Sequence, residues 1–180
     1  MLLHFKLNSY TIKGRKIVLT AMFIEGAFTM DIVTLLRRGG VWYNIPGKTS
    51  ADFISTLVAT IKLSAGIDRD DLAQASARRE ASSSTAMGRA LAFPHPGNPM
   101  AKSADDAIVA LAYPRFPVDW KAPDGAPVKA VFMIVSASRP DHLATLSILA
   151  KLCGDDAFYA ALLRQAPLEE LVGIIGKATV

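Results

Sequence analysis

Three histidines, His4, His95 and His142, are the side chains of this sequence best suited to nucleophilic or acid–base chemistry near neutral pH. An imidazole of ordinary pKa, ~6.5, keeps a lone pair on one ring nitrogen above that pH. A lone histidine is more often a structural hydrogen-bonding residue than a catalyst, so setting has to distinguish them. His95 follows a brief apolar run, Ala90 to Phe93, and Pro94, which puts it at a strand end. Just upstream, Ser82-Ser83-Ser84-Thr85 is dense in hydroxyls and backbone donors, a composition suited to holding the oxygens of an anion. His142 follows Pro140-Asp141, where a helix is expected to begin. His4 lies in a leading segment apart from these and receives no role.

Other chemistries fail on spacing. Gly47-Lys48-Thr49 resembles the end of a phosphate-binding P-loop, but the glycine required five residues earlier is Trp42. There is no G-x-S-x-G elbow, no H-E-x-x-H and no paired-cysteine pattern. The one cysteine, Cys153, lies in an apolar helical pattern and reads as a small buried hydrophobe. A site in which two histidines and Asp141 bind a metal is a lesser alternative; no cofactor or metal is otherwise implied.

The elements that must position these residues follow from periodicity and punctuation. Met30 to Arg38 reads as a short helix ending at Gly39-Gly40, and Val41 to Ile45 as a strand closed by Pro46-Gly47. Thr49 or Ser50 caps a helix whose apolar stripe is Phe53, Ile54, Leu57, Val58 and Ile61. Asp68 caps another running to about Arg79, and a serine-rich loop is expected from Ala81 to Gly88. Ala107 to Tyr113 and Val128 to Val135 are nearly continuous apolar runs, as strands buried on both faces require. The last third reads as helices, with stripes Leu143, Leu146, Leu149, Ala150 and Cys153, then Phe158, Leu162 and Leu163, then Leu168, Leu171, Val172 and Ile175 after Pro167. Helices before, between and after buried strands indicate a layered α/β domain.

The 180 residues are 51% hydrophobic and 20% charged with a net charge of +4, which suits one globular domain. The basic residues are spread along the chain without the dense block of a nucleic-acid footprint. No apolar run is long enough to span a bilayer. Lys13, Arg15 and Lys16 before Ile17 to Ile24 imitate a signal peptide, but the stretch is short and Glu25 interrupts it. A cytoplasmic protein without membrane insertion is expected. Residues 1–29 read as an extension, with a hairpin possible around Lys13-Gly14-Arg15, and residues 30–180 as the domain.

The segment from Arg79-Glu80 through Ser84-Thr85, Gly88 and Ala92 to Pro94-His95 resembles, in register, the signature R-E-x-x-x-S-T-x-x-G-x-x-x-A-x-P-H of enzyme IIA domains of the fructose/mannitol/nitrogen class of the phosphotransferase system. Pro117-Val118-Asp119, Asp124-Gly125-x-Pro127-Val128 and His142-Leu143-x-x-Leu146-Ser147 extend the likeness, as does Gly39-Gly40-Val41 through Gly47. The last resembles relatives in which the domain follows an excisionase-like DNA-binding module, whose pattern the leader lacks. The resemblance implies an α/β fold, a mixed β-sheet flanked by helices on both faces in the three-layer sandwich of the mannitol-type enzyme IIA. It further implies that His95 carries a phosphoryl group, with His142 and Arg79 beside it and donors from the Ser84-Thr85 loop. The implied partners are an HPr-like phosphocarrier protein as donor and a IIB component or a regulatory target as acceptor. The alternative is a non-catalytic regulatory module switched by His95 phosphorylation, or one that has lost the chemistry. The family usually has glycine where this chain has Ala86 and Ala90, and commonly a basic residue where it has Gly97.

Overall fold

The computed structural model describes residues 6–12, 15–21 and 32–178. The hairpin expected in the leader is present as β1 (Lys6–Ile12) and β2 (Arg15–Ala21), paired antiparallel from Lys6↔Ala21 to Ile12↔Arg15 in a sheet of their own. The expected helix start at Met30 lies outside the described residues. The first helix, α1, is described from Ile32 to Gly39 and delivers the chain to β3 (Val41–Ile45).

Local chemistry starts each of the next two helices. α2 (Ser50–Thr60) begins with a capping box in which the Thr49 side chain accepts from the Asp52 N–H and Asp52 accepts from the Thr49 N–H. α3 (Arg69–Ser82) is capped by Asp68, which accepts from the Asp71 N–H at 2.9 Å. α3 extends past the expected end at Arg79, and the second half of the expected serine-rich loop is strand β4 (Ala86–Gly88), which turns back into β5 (Leu91–Ala92). β6 (Ile108–Pro114) and β7 (Ala130–Val135) are buried at every residue, as their continuous apolar sequences require. Val128, expected in the last strand, instead bridges Val118 before β7 begins. Helices α4 (Arg139–Gly154), α5 (Asp156–Leu163) and α6 (Leu168–Ala178) complete the domain.

The main sheet has the order β3-β6-β7-β5-β4. β3 runs parallel to β6 and β5 parallel to β7, while β6/β7 and β4/β5 are antiparallel, so the sheet is mixed. Together with the six α-helices among the described residues this is the three-layer α/β arrangement. The core is continuous across the sheet, with the Phe93 and Phe132 rings edge to face at 5.6 Å and Phe53 edge to face with Trp120 at 5.6 Å. α1 ends on β6 so closely that a Cβ on Gly39 would lie 2.2 Å from the Val109 carbonyl oxygen. Only glycine allows that approach.

Two stripes need correction. On α4 the buried residues are Thr145, Leu149, Leu152 and Cys153, whereas Leu143 is 65% exposed and Ala150 also faces out. On α5 Phe158, Ala161 and Leu162 are buried and Leu163 is exposed. Leucine at helical spacing satisfied the pattern, but the helix buries a face rotated away from Leu143.

The β4–β5 connection is a two-residue turn in which Arg89 and Ala90 have φ of 52° and 60°, after Gly88 at 80°. Two left-handed residues in succession fit the right-handed twist of a hairpin, and glycine, asparagine or aspartate usually supplies them. Here external bonds hold the turn instead. The Arg89 N–H donates to Asp124 Oδ2 at 2.7 Å, the Tyr159 hydroxyl to the Arg89 carbonyl at 2.9 Å, and the Lys129 N–H to the Ala90 carbonyl at 2.8 Å. Ala90→Gly is expected to stabilise the protein by up to ~1 kcal/mol by removing left-handed strain. That corresponds to a rise of roughly 2–4 °C in the thermal midpoint for a chain of this size.

We propose that residues 1–29 are separable from the domain. A chain starting at Met30 is expected to keep its thermal midpoint. A fall of about 10 °C would exceed what ~1 kcal/mol of peripheral contact produces and would place the leader in the core.

Candidate functional site

His95 stands just beyond β5, and the backbone around it is tied on both sides. The Phe93 N–H donates to the Thr85 carbonyl at 3.0 Å, and the Ile134 N–H of β7 donates to the Pro94 carbonyl at 3.0 Å. The Phe93 carbonyl then meets His95 Nδ1 at 2.8 Å. A carbonyl oxygen only accepts, so Nδ1 carries the proton and donates, and the lone pair of the neutral ring is on Nε2. The ring is partly exposed.

His142 reaches the same place from the first turn of α4. Ser138 caps that helix by accepting from the Asp141 N–H at 3.2 Å, and its hydroxyl donates to the Asp141 carboxylate at 2.5 Å. Asp141 is thus committed to the cap. The His142 N–H donates to the Ser138 carbonyl at 3.0 Å, which fixes the backbone under the imidazole. The two imidazoles lie 4.5 Å apart between centroids at an interplanar angle of 52°. Among the described residues no group of three or more histidine, cysteine, aspartate or glutamate side chains is placed to hold a metal ion.

Arg79, in the last turn of α3, donates from Nη1 to the Ser83 carbonyl at 2.8 Å. Its charge lies close enough to depress the pKa of both histidines. For His95 burial is the main depressing cause; the Phe93 carbonyl and the Glu80 charge act in the opposite sense. For His142 burial leads, followed by His95 and Arg79, and its pKa is pushed down to about 4. Both rings are therefore neutral at pH 7, beside a fixed cation. The arrangement offers one oriented ring nitrogen, a second imidazole and a guanidinium to an incoming anion.

The Ser84-Thr85 loop differs from expectation. The Ser84 hydroxyl donates to the Trp120 carbonyl at 2.7 Å and accepts from the Ala86 N–H. Both donors of Thr85, its N–H at 3.0 Å and its hydroxyl, go to the Glu80 carboxylate. The expectation that Thr85 presents open donors to an anion is corrected: they are spent within the protein, on a buried carboxylate. Glu80 itself escaped the sequence reading. Its signal was the spacing Leu72, Ser76, Glu80, which puts a carboxylate on the buried face of α3.

Comparison with known proteins places the chain in a family. Residues 34–178 match the family described as phosphoenolpyruvate-dependent sugar phosphotransferase system, EIIA 2. The chain is 30% identical over 153 residues to the fructose-specific EIIABC component of the phosphotransferase system of Bacillus subtilis, covering 82% of this chain and 23% of that protein's length. Its fold is similar to that of the nitrogen regulatory protein IIA-Ntr from Neisseria meningitidis, with a TM-score of 0.60 at 21% identity, covering 81% of this chain and 97% of the other. It is also similar to a chain of the complex of enzyme IIAMTL with phosphorylated enzyme IIBMTL from Escherichia coli, with a TM-score of 0.58 at 17% identity, covering 76% and 94%. The family match covers more than half of the chain, and the chain belongs to the EIIA 2 family of the phosphoenolpyruvate-dependent sugar phosphotransferase system.

Proposed function

We infer that the protein is a histidine phosphocarrier working in the cytoplasm, which takes a phosphoryl group on His95 Nε2 and hands it on. The observation that carries this is the pairing of His95 Nδ1 with the Phe93 carbonyl, which leaves Nε2 as the lone-pair nitrogen of a ring whose centroid lies 4.5 Å from that of His142. The donor is the phosphohistidine of an HPr-like carrier, and the acceptor is a IIB component or a regulatory target. In the transfer the Nε2–P bond forms as the donor's N–P bond breaks. The donor imidazole keeps the electron pair of the broken bond and is released neutral. His95 keeps its Nδ1 proton throughout, so no proton needs to leave. No metal or nucleotide enters this balance.

Phosphoryl transfer passes through a loose transition state, so the protein's task is to position the groups and stabilise charge on the equatorial oxygens. Arg79 supplies a fixed cation for them. His142 is neutral while the site is empty, but a dianion beside it reverses the electrostatic sense and favours its protonated, doubly donating form. The phosphoryl group thus creates the second cation that holds it. Leu143, exposed beside His142, gives an apolar contact to a docking protein.

Incubation with phosphoenolpyruvate, enzyme I and HPr, followed by intact-mass measurement, tests the assignment. The wild-type chain is expected to gain one phosphoryl group and His95→Ala none; a full gain in that variant rejects it. His142→Ala is expected to fold and to accept phosphate ~10²-fold more slowly. Wild-type transfer rates in that variant would leave His142 a purely structural residue.

The depressed pKa of His142 has a stability consequence of definite sign. Between the unfolded value near 6.5 and the folded value of about 4, the unfolded chain binds more protons than the folded one. This group therefore lowers stability as pH falls through that window and contributes no further slope below it. Thermal midpoints measured from pH 7 to pH 4 are expected to fall less steeply in His142→Ala than in the wild type.

A further inference from the structure

Glu80 takes no part in the chemistry above, yet it is one of only a few buried polar side chains among the described residues. Burying a carboxylate is costly unless its oxygens are bonded. Here both are, and by one residue: Oε1 accepts from the Thr85 N–H and Oε2 from the Thr85 hydroxyl. Charge-assisted bonds of this kind are roughly twice as strong as neutral ones, and two on one residue fix its orientation. Thr85 in turn offers its carbonyl to the Phe93 N–H, and Phe93 offers its carbonyl to His95 Nδ1. Three consecutive contacts connect the end of α3 to the reactive imidazole across the β4–β5 hairpin.

The geometry points to Glu80 as a positioning residue for His95, which clamps Thr85 so that the Phe93 carbonyl is aimed at Nδ1 and compensates the positive charge that the ring acquires when Nε2 is phosphorylated. The second part follows from the bond count. An imidazole bonded to phosphorus at Nε2 that retains its Nδ1 proton has imidazolium character. A buried carboxylate on the adjoining clamp favours that state. Among the described residues the charged groups facing His95 are Arg79 and Glu80 from α3, with His142 from α4 as the other titratable one, and of these Glu80 supplies the negative charge. Arg79 and Glu80 are neighbours with divided tasks, Arg79 towards the phosphoryl oxygens and Glu80 towards the ring.

The functional half of this rests on the phosphocarrier reading; the orientation half does not, and the experiment separates them. Nitrogen-15 NMR of the unphosphorylated protein reports which ring nitrogen of His95 carries the proton, and a pH titration reports its protonation. Three variants divide the roles. Glu80→Gln keeps an acceptor for the Thr85 N–H but removes the charge. Thr85→Val keeps the backbone bond and removes the hydroxyl donor. Glu80→Ala removes the clamp.

In Glu80→Gln the proton is expected to stay on Nδ1, while His95 protonates at lower pH and the phosphorylated form hydrolyses faster than in wild type. In Glu80→Ala the ring is expected to populate both tautomers, and phosphoryl acceptance to fall about 10²-fold, the scale of a small misplacement of a reacting group. Thr85→Val, with half of the clamp, is expected to fall between. If Glu80→Ala fails to fold, the other two variants decide the matter. A wild-type tautomer and wild-type titration of His95 in Glu80→Gln and Thr85→Val would overturn the inference. Absence of phosphorylation in the wild type would sink the carrier reading, while the NMR result would still test the clamp.

Discussion

The hydrogen bond from His95 Nδ1 to the Phe93 carbonyl decides what this site can do, because it chooses which nitrogen is nucleophilic. A neutral hydrogen bond of this kind contributes only about 1 kcal/mol on its own. Its selectivity comes from how firmly the acceptor is aimed. Phe93 is gripped through its N–H by Thr85, its ring lies edge-on to Phe132, and the next residue, Pro94, receives a bond from β7. The carbonyl cannot turn away without disturbing the hairpin, the core and the fully buried central strand together. Rigidity of the sheet is thereby converted into a choice of tautomer.

The electrostatics complement that choice. A cation beside two imidazoles discourages either from protonating, and burial works in the same sense. An empty site therefore holds neutral, nucleophilic rings rather than a cluster of three cations, which would repel one another. On the phosphocarrier reading proposed above, an arriving dianion would remove the penalty on protonating His142 while leaving Arg79 in place. The site's net charge can follow its load with a change in one side chain's protonation.

Much of this was legible before the structure. The caps at Thr49 and Asp68 are local chemistry, set by side chains within three residues of the N–H groups they receive, and the helices start where they stand. β6 and β7 announce themselves by apolar residues without alternation. The register of His95 with Arg79 and the Ser84-Thr85 loop came from resemblance. What stayed hidden depends on tertiary direction. Leu143 has the right type and spacing for the core, but α4 packs with a rotated face and leaves it exposed. Thr85 has two donors, and only the fold shows that they are spent on a carboxylate five residues upstream. Glu80 received no role from the sequence, because its one signal, the four-residue spacing from Leu72 through Ser76, places it on a buried face without naming what it meets there.

The departures from the family pattern can be weighed in the same way. Ala86 lies in β4 with φ outside the left-handed region, so its backbone has no need of glycine. Ala90 does occupy that region, but the bonds to Asp124, Tyr159 and Lys129 hold the turn from outside. A strained turn so tied keeps the β4–β5 register on which Thr85 and Phe93 depend. At Gly97 a Cβ would meet nothing within 4 Å, so the rim beyond His95 is open on that side. The cation missing from that position has a neighbour in Arg139, at the start of α4, whose Nη2 donates to Asn98 Oδ1 at 3.1 Å. The loop after His95 is thus joined by a positive side chain to the helix that carries His142. The rim beside His95 thus has its positive charge on the helix rather than on the loop.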